Sequence, residues 1–324
     1  MPEQSRREFL VRSAVLGVAA LGTRKLAWGQ PAPAGRQPAA GGGDRPLDMT
    51  IVRFKGEMST ADAVGETSPA ARLTEKALAE LGGMQRFVKK GDVVWVKPNI
   101  GWNRTAEQAA NTHPLVVATL VRLCLNAGAK KVKVGDYPCN EAKETYENSG
   151  IAAAAQAAGA EIVYLDKTRF RDMKVGGNRL KQHPVYPGIV ECDLVINVPI
   201  AKHHSATTVT ACMKNYMGVV GKRREFHQDL PTTIADITQF MKPRLCVLDA
   251  TRILTAHGPT GGDLADVKVL NTVAAGVDIV ALDAFGCELL GYKPAEIETV
   301  TTGQKYGLGK IDYRSLALKE FELS

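Results

Sequence analysis

The residues best suited to chemistry lie between Asn197 and Asp229, directly after an apolar run. Residues 193–200 have the pattern of a buried strand, and the chain then changes to lysines, histidines, an asparagine and arginines. A strand that ends in a cationic loop is where an α/β protein usually binds a ligand. Ammonium and guanidinium groups bind anions, and imidazole exchanges protons near neutral pH. The residues concerned are Lys202, His203, His204, Lys214, Asn215, Lys222, Arg223, Arg224 and His227.

Two other apolar runs also end in polar residues. Lys97 and Asn99 follow the run at 92–96, and Asp249 follows the run at 245–248. Each residue alone would more often be a helix cap or a solvated loop residue. The carboxyl ends of parallel strands meet at one edge of a sheet, so three such ends together favour a shared site. We therefore expect Val96, Val198 and Leu248 to finish side by side.

These residue types suggest separate roles at that edge. Lys202, Lys214 and Arg223 are predicted to hold an anion, because a guanidinium fork matches phosphate and carboxylate. His204 or His227 is predicted to act as general acid or base. Asp249 is predicted to orient a histidine or to hold a metal.

A metal site is a weaker interpretation of the same segment. His204, His227, His257 and Asp249 offer the nitrogen and oxygen ligands that a divalent or transition metal accepts, although their spacing is not diagnostic. The six cysteines include no C-x-x-C pair. That spacing speaks against a 4Fe-4S cluster and against a zinc knuckle, and it leaves the cofactor open.

Length and charge narrow the class of protein and its partners. The chain has 324 residues, 45% of them hydrophobic, enough for one large or two joined α/β units. The formal net charge is +7, of which residues 1–29 contribute +3. The remaining charge is modest, only 6% of residues are aromatic, and no run interleaves them with basic residues. This composition favours a small anionic ligand over nucleic acid.

Residues 1–29 are predicted to be a twin-arginine signal peptide. Arg6 and Arg7 precede an apolar stretch, 11–21, that is too short to be a stable membrane anchor. We therefore expect the twin-arginine translocase as a partner during export, a periplasmic or extracytoplasmic location, and no stable membrane anchor after cleavage. Residues 30–47 are rich in Pro, Gly and Ala and are predicted to be a flexible linker. Residues 48–324 are predicted to be the α/β domain.

The order of apolar runs and amphipathic stretches predicts an α/β fold. We expect a mostly parallel sheet flanked by helices, either as one unit or as two joined α/β lobes with the site between them. A helix at 114–126 between strands at 92–96 and 131–134 predicts a right-handed βαβ unit. Residues 207–219 are predicted to be a helix and residues 250–266 a long loop. Asn215 is a poor helix former, so a specific role is expected for it there.

The succession of short motifs from about residue 92 to 291 resembles the DUF362 family, whose name records an unknown function. The resemblance implies that Lys97, Asn99, His113, Lys202, His204, Lys214, Asn215, His227 and Asp249 are the family's recurrent polar positions, and we add Lys97, Asn99, His113 and Asn215 to the substrate-binding set. Some relatives carry a ferredoxin-like 4Fe-4S module, which this sequence lacks. The motifs are Lys97-Pro98-Asn99, Thr112-His113-Pro114, Gly135-Asp136-Tyr137-Pro138, Pro199 with Lys202-His203-His204, Met213-Lys214-Asn215 with Gly218, His227, Asp249, Gly258-Pro259, and Asp278 with Asp283.

Three functions are compatible with these residues. We favour an exported enzyme that acts on a small substrate bearing phosphate or carboxylate. The first alternative is a redox-associated protein that carries a metal or cofactor and folds around it before export. The second is a protein that binds an anion without turnover.

Overall fold

The computed structural model of the protein describes residues 46–56 and 67–324. The predicted signal peptide, 1–29, and residues 30–45 of the predicted linker lie outside the described residues. The strands are β1 Met49–Phe54, β2 Val93–Pro98, β3 Lys131–Val134, β4 Glu161–Ile162, β5 Arg171–Lys174, β6 Gln182–Val185, β7 Leu194–Val198, β8 Ile200–His204, β9 Thr208–Thr210, β10 Leu245–Leu254, β11 Val267–Gly276 and β12 Leu318–Leu323. The helices are α1 Pro69–Glu80, α2 Pro114–Asn126, α3 Ala142–Asn148, α4 Ile151–Ala157, α5 Pro187–Val190, α6 Cys212–Asn215, α7 Leu230–Met241, α8 Ile279–Leu289 and α9 Glu298–Lys305.

Ten of these strands form one mixed sheet. Its order is β12-β1-β11-β10-β7-β2-β3-β4, with β8 and β9 attached to β10 as a hairpin. Neighbouring strands from β10 to β4 are all parallel, and β11 is antiparallel to both β1 and β10. The predicted α/β fold with a large, mostly parallel sheet is thus confirmed. The hairpin β5–β6 forms a separate small sheet.

Both faces of the sheet are covered, which explains why its central strands are almost continuously apolar. Val94 and Val96 of β2 belong to a core that includes residues of α1 and α2. Trp95, between them, points to the opposite face and belongs to a core with residues of α7 and α8. The alternation along one strand therefore supplies two hydrophobic cores, as the period of a strand requires.

Local signals at the helix ends agree with the structure. Ser68 caps α1 by accepting a hydrogen bond from the N–H of Ala71 at 3.2 Å, and Pro69 occupies the first turn. Ser149 and Gly150 separate α3 from α4. Gly150 has φ +72°, a conformation that favours glycine.

The predicted helix at 207–219 is wrong in its first half. Residues 208–210 form β9, which pairs with β8, and only Cys212–Asn215 is α-helical before a 3₁₀ turn, Tyr216–Val219. The β-branched sequence Thr207-Thr208-Val209-Thr210 favours a strand, and pairing with β8 provides its hydrogen bonds. The polar segment that contains Lys202 is likewise a strand and not a loop.

The ends of β2 and β7 lie side by side, as predicted, and both lie beside β10, which does not end there. Lys97 of β2 pairs with Asn197 of β7, and Asn197 pairs with Cys246 of β10. However, β10 continues beyond Leu248 to Leu254, so part of the predicted loop at 250–266 is strand. This continuation places β8 beside β10 and carries Lys202 to the edge where β2 ends.

Candidate functional site

A cavity of about 420 Å³ lies at the end of β2, between β8, α6 and the segments that follow β3 and Val219. Exposed Cys139, Ser205 and His227 line it together with buried residues, so it opens to solvent. We call it the central cavity. Its lining residues are Lys97, Asn99, Gly101, Trp102, Asp136, Tyr137, Cys139, Lys202, His204, Ser205, Ala206, Thr210, Lys214, Asn215, Met217, Gly218, Arg223, His227 and Pro259.

Lys97 and Asp136 form a fully buried ion pair in this lining. The Nζ of Lys97 lies 2.7 Å from Oδ1 of Asp136. Oδ2 of Asp136 accepts the N–H of Ile100 at 2.7 Å, and Oδ1 accepts the N–H of Tyr137 at 2.9 Å. Burial lowers the pKa of Lys97, and the Asp136 carboxylate opposes that shift. The two charges compensate each other, so the pair contributes little net charge to the central cavity.

Asn215 connects three strand-end residues. Its Oδ1 accepts hydrogen bonds from Lys97 Nζ at 2.9 Å and from Asn99 Nδ2 at 3.1 Å. Its Nδ2 donates to the carbonyl of Lys97 at 3.2 Å and to Oδ1 of Asn197 at 2.8 Å. These four bonds use both the donors and the acceptor of a side-chain amide. A specific role was expected for Asn215 because asparagine is a poor helix former, and these hydrogen bonds provide one.

Lys202 is buried without a carboxylate partner. Its Nζ donates to three oxygens, the carbonyls of Ala110 at 2.6 Å and Pro259 at 3.2 Å and Oδ1 of Asn99 at 3.2 Å. Burial, followed by the charge of Lys214, lowers the pKa of Lys202 to about 7. Three acceptors engage all three donors of an ammonium group, so the amine is fixed and has no donor left for a ligand.

Lys214 differs from Lys202 in its contacts. Its half-buried side chain lines the central cavity, and within residues 46–56 and 67–324 its Nζ makes one hydrogen-bond contact, to Sδ of Met217 at 3.5 Å. A thioether is a weak acceptor. Burial lowers the pKa of Lys214 to about 8, and Arg223 acts in the same direction while Cys139 opposes it. The amine therefore has hydrogen-bonding capacity available to a ligand.

Asp283 of α8 and Asn197 of β7 hold the helix that carries Lys214. The Asp283 carboxylate accepts the N–H groups of Cys212 and Met213, the first two residues of α6. Asn197 Nδ2 donates to the carbonyl of Cys212 at 2.8 Å. The first N–H groups of a helix have no partner within the helix, and carboxylate oxygens that accept them stabilise so short a helix.

His204 is a hydrogen-bond donor to the central cavity. Its Nδ1 accepts the N–H of Ala206 at 3.0 Å, so the proton of the neutral ring is on Nε2. Burial and the charges of Lys214 and Lys202 lower its pKa to about 2. The lowered pKa favours the neutral ring, and the prediction that His204 or His227 acts as general acid or base stays a prediction.

Arg223 and His227 lie in the 3₁₀ helix Arg223–Gln228, at the cavity entrance. Arg223 donates to the carbonyl of Pro138 at 2.8 Å, and its guanidinium lies 4.4 Å from the ring centroid of Tyr137. His227 is exposed, and burial, Lys214 and Arg223 lower its pKa. Arg223 is thus oriented by fixed neighbours, whereas His227 is the more accessible imidazole.

Thr210 adds a hydroxyl that sequence reasoning missed. It is 3% exposed and lines the central cavity, and its Oγ1 has no hydrogen-bond partner in the described part of the chain. A buried hydroxyl without a partner costs about 1–3 kcal/mol, so it indicates a position for a ligand atom or water.

Eight predicted residues come together here, and two do not. Asp249 is buried behind the cavity, where its carboxylate accepts the N–H of His113 at 2.7 Å and both the N–H and hydroxyl of Thr251 at 2.9 and 2.7 Å. His113 caps α2 by accepting the N–H of Leu115 at 3.1 Å. Neither side chain lines the central cavity, so the structure does not bring Asp249 and His113 together with the other predicted residues. The eight are Lys97, Asn99, Lys202, His204, Lys214, Asn215, Arg223 and His227.

The predicted metal-ligand set is not assembled. His257 is exposed and its Nδ1 lies 2.8 Å from Oδ2 of Asp266, away from the cavity. Asp249 is occupied by the bonds given above. Within the part of the chain that the structure describes, no group of three or more His, Cys, Asp or Glu side chains could share a metal ion. His204, His227, His257 and Asp249 therefore do not form one site.

Asp136, like Thr210, was absent from the predicted site. Lys97 was identified because polar residues at the ends of neighbouring parallel strands lie close together. The same rule applies to Asp136, because it comes directly after β3 and β3 pairs with β2. It therefore could have been found from the sequence. Thr210 could not, because its segment was predicted to be helical.

Three comparisons relate the chain to known proteins. The model of the family described as "Domain of unknown function (DUF362)" matches residues 94–288, which include every residue that lines the central cavity. Thylakoid-associated protein sll1697 of Synechocystis sp. is 32% identical over 241 residues, 71% of this chain and 73% of that protein. The lactate racemase apoprotein from Thermoanaerobacterium thermosaccharolyticum is 14% identical with a TM-score of 0.47, over 83% of this chain and 60% of that one.

Proposed function

The chain belongs to the DUF362 family, and from that premise we propose that it is an enzyme acting on a small substrate that bears a phosphate or carboxylate group. One observation carries the proposal. The central cavity is lined by four cationic side chains, Lys97, Lys202, Lys214 and Arg223, and by one carboxylate, Asp136. Since Asp136 compensates Lys97, the positive charge of the other three favours an anion.

Lys214 and Arg223 are the cations that meet the substrate in this proposal. No oxygen of the described residues accepts a hydrogen bond from Lys214, and Arg223 lies at the entrance with its guanidinium packed on Tyr137. Lys202 acts at a distance, because its three donors are already used. A guanidinium and an ammonium group together match the geometry and charge of a small oxyanion.

Two neutral donors complete the anion site. The Nε2–H of His204 and the hydroxyl of Thr210 both belong to side chains that line the central cavity. Donors that are already fixed stabilise charge as it develops on a substrate oxygen, without reorganisation. His227 is the imidazole that we assign to proton transfer, because it is exposed at the entrance and keeps a free path to solvent.

We also propose that the protein is exported by the twin-arginine pathway. The paired arginines and short apolar stretch within residues 1–29 support this proposal. In the described residues, no helix is both long and apolar enough to cross a membrane. Replacing both Arg6 and Arg7 by Lys should leave the uncleaved precursor in the cytoplasm. Equal amounts of mature protein in the periplasm of both strains would contradict the export proposal.

Binding without turnover rests on the same charges, so the test must detect chemistry. Purified protein would be incubated with a pool of small phosphate- and carboxylate-bearing metabolites and the pool followed by mass spectrometry. Depletion of one compound and appearance of its product in the wild type and in surface variant Lys130→Ala, but not in Lys214→Met, supports the enzyme. Ligand-induced thermal stabilisation with no change in the pool would instead establish an anion-binding protein.

A further inference from the structure

Lys214 has the environment of a nucleophilic amine. Its side chain lines the central cavity, and among the residues that the structure describes Nζ contacts only the thioether of Met217 and pairs with no carboxylate. Lys97 and Lys202, the other lysines of the cavity, are each held by three acceptors. An amine attacks a carbonyl carbon through its lone pair, which an ammonium group with three hydrogen bonds does not have available.

We infer that Lys214 forms an imine with the carbonyl carbon of a small oxo acid bound in the central cavity. This inference deepens the proposed function and rests on it, because the carboxylate of the oxo acid is the anion that Arg223 holds. It names the substrate class as compounds with a carboxylate next to a ketone or aldehyde.

The charges around the amine favour its neutral form. The titratable or charged groups that line the cavity with it are Lys97, Asp136, Tyr137, Cys139, Lys202, His204, Arg223 and His227, and of these Cys139 opposes the shift. Burial lowers the pKa of Lys214 to about 8, with Arg223 contributing in the same direction. A desolvated lysine beside other cations is the usual environment of an imine-forming residue.

The step balances without an oxidant or a cofactor. The nitrogen lone pair of Lys214 forms a bond to the carbonyl carbon while the carbon–oxygen π electrons move to oxygen. The Nε2–H of His204 and the Thr210 hydroxyl are the donors for that oxygen. The carbon–oxygen bond then breaks as the carbon–nitrogen double bond forms. The oxygen leaves as water with the two amine protons, which His227 and solvent transfer.

Reductive trapping tests the inference. Intact protein at pH 8 would be incubated with pyruvate or 2-oxoglutarate and sodium cyanoborohydride, then digested and mapped by mass spectrometry. The peptide that contains Lys214 should carry the reduced adduct at a level on the order of tenfold above that of any surface lysine, because a lowered pKa leaves more of the amine neutral. Acetone, a ketone without a carboxylate, should label Lys214 much less.

Two variants make the result specific. Lys214→Arg keeps the charge and the fold but cannot form the adduct, so labelling should disappear while sulfate binding remains. Lys130→Ala, on the surface, should label as the wild type does. Adducts spread evenly over exposed lysines, or none on Lys214 with either oxo acid, would overturn the imine. If sulfate still binds in that case, only this inference fails, and if sulfate does not bind, the proposed anion site fails as well.

Discussion

Lys202 and Lys214 line the same cavity, but Lys202 donates to three oxygens and Lys214 contacts a single sulfur. Lys202 therefore has a structural role, because its hydrogen bonds hold Asn99 and the segment around Pro259 in place. Lys214 has donors available to a ligand. We therefore expect substitution of Lys202 to change mainly stability, and substitution of Lys214 to change mainly ligand binding.

Replacing these two lysines by methionine should have different effects on stability. Lys202→Met leaves the carbonyls of Ala110 and Pro259 without their donor, so the free energy of unfolding should fall by about 1–3 kcal/mol. Lys214→Met leaves no oxygen acceptor without a partner, so stability should be unchanged or slightly higher. Chemical denaturation of both variants measures this. A larger loss for Lys214→Met would show that its amine has a structural role.

Anion affinity should fall as the pH rises through about 8. Below that pH Lys214 carries a positive charge, and above it the charge is lost. Sulfate does not titrate in this range, so calorimetry with sulfate from pH 7.5 to 9.5 reports the protein alone. The loss of one charge should weaken binding on the order of tenfold. Lys214→Arg, which stays charged, should remove most of this dependence, and an unchanged slope would rule out Lys214 as its source.

Two substitutions of His204 distinguish the acceptor role of its Nδ1 from the donor role of its Nε2. Asparagine can accept the N–H of Ala206 as Nδ1 does, but it lacks the Nε2–H donor. Glutamine can place an N–H near the position of Nε2. We expect sulfate affinity to fall several-fold in His204→Asn, about the free energy of one hydrogen bond, and less in His204→Gln. The reverse order would show that only the bond to Ala206 matters.

Acid stability should also change in the asparagine variant. The pKa of His204 is about 2 in the folded protein and near its usual value of 6.5 when unfolded. Between those values the unfolded chain binds more protons, so stability falls as the pH decreases from about 6.5. The wild type should therefore lose more stability between pH 6.5 and 4.5 than His204→Asn does. Parallel melting temperatures across this range would contradict the lowered pKa.

Gly218 allows the Lys97–Asp136 pair to lie against the backbone. A Cβ at this position would collide with the Asp136 carboxylate and lie 2.6 Å from Nζ of Lys97. Gly218→Ala should destabilise the protein by about 1–3 kcal/mol, as overpacking does, and weaken sulfate binding. Gly286→Ala is the matched control, since its Cβ would meet Ala211 and Leu248 at 3.4 and 3.5 Å, which are ordinary contacts. Equal melting temperatures for the two variants would contradict this packing.

The sheet and the convergence of its strand ends could be predicted because they depend on local signals. Strands β2 and β3 are separated by the amphipathic helix α2, and such a βαβ unit leaves few topologies. The structure places β7 on the other side of β2, where Lys97 pairs with Asn197. Lys97, Asn99 and Lys202 were located at one edge of the sheet by that argument alone.

The hairpin β8–β9 and the position of Asp249 depend on tertiary contacts that the pattern does not show. The residues Lys202, His203 and His204 are polar, yet they form a strand because β10 and β9 supply hydrogen-bond partners on both sides. Asp249 follows an apolar run as Lys97 does, but β10 continues past it and buries its carboxylate against the N–H groups of His113 and Thr251. A polar residue within a strand and one at its end look alike in sequence.

Sulfate binding to the wild type and to the double variant Lys214→Met with Arg223→Ala, at pH 7.5, tests the central claim most directly. The account predicts one bound sulfate per wild-type chain and an affinity weaker by roughly a hundredfold in the double variant, since two charges are lost. Surface variant Lys130→Ala should match the wild type. Equal affinities in the wild type and the double variant, or no sulfate binding to the wild type, would contradict an anion site in the central cavity.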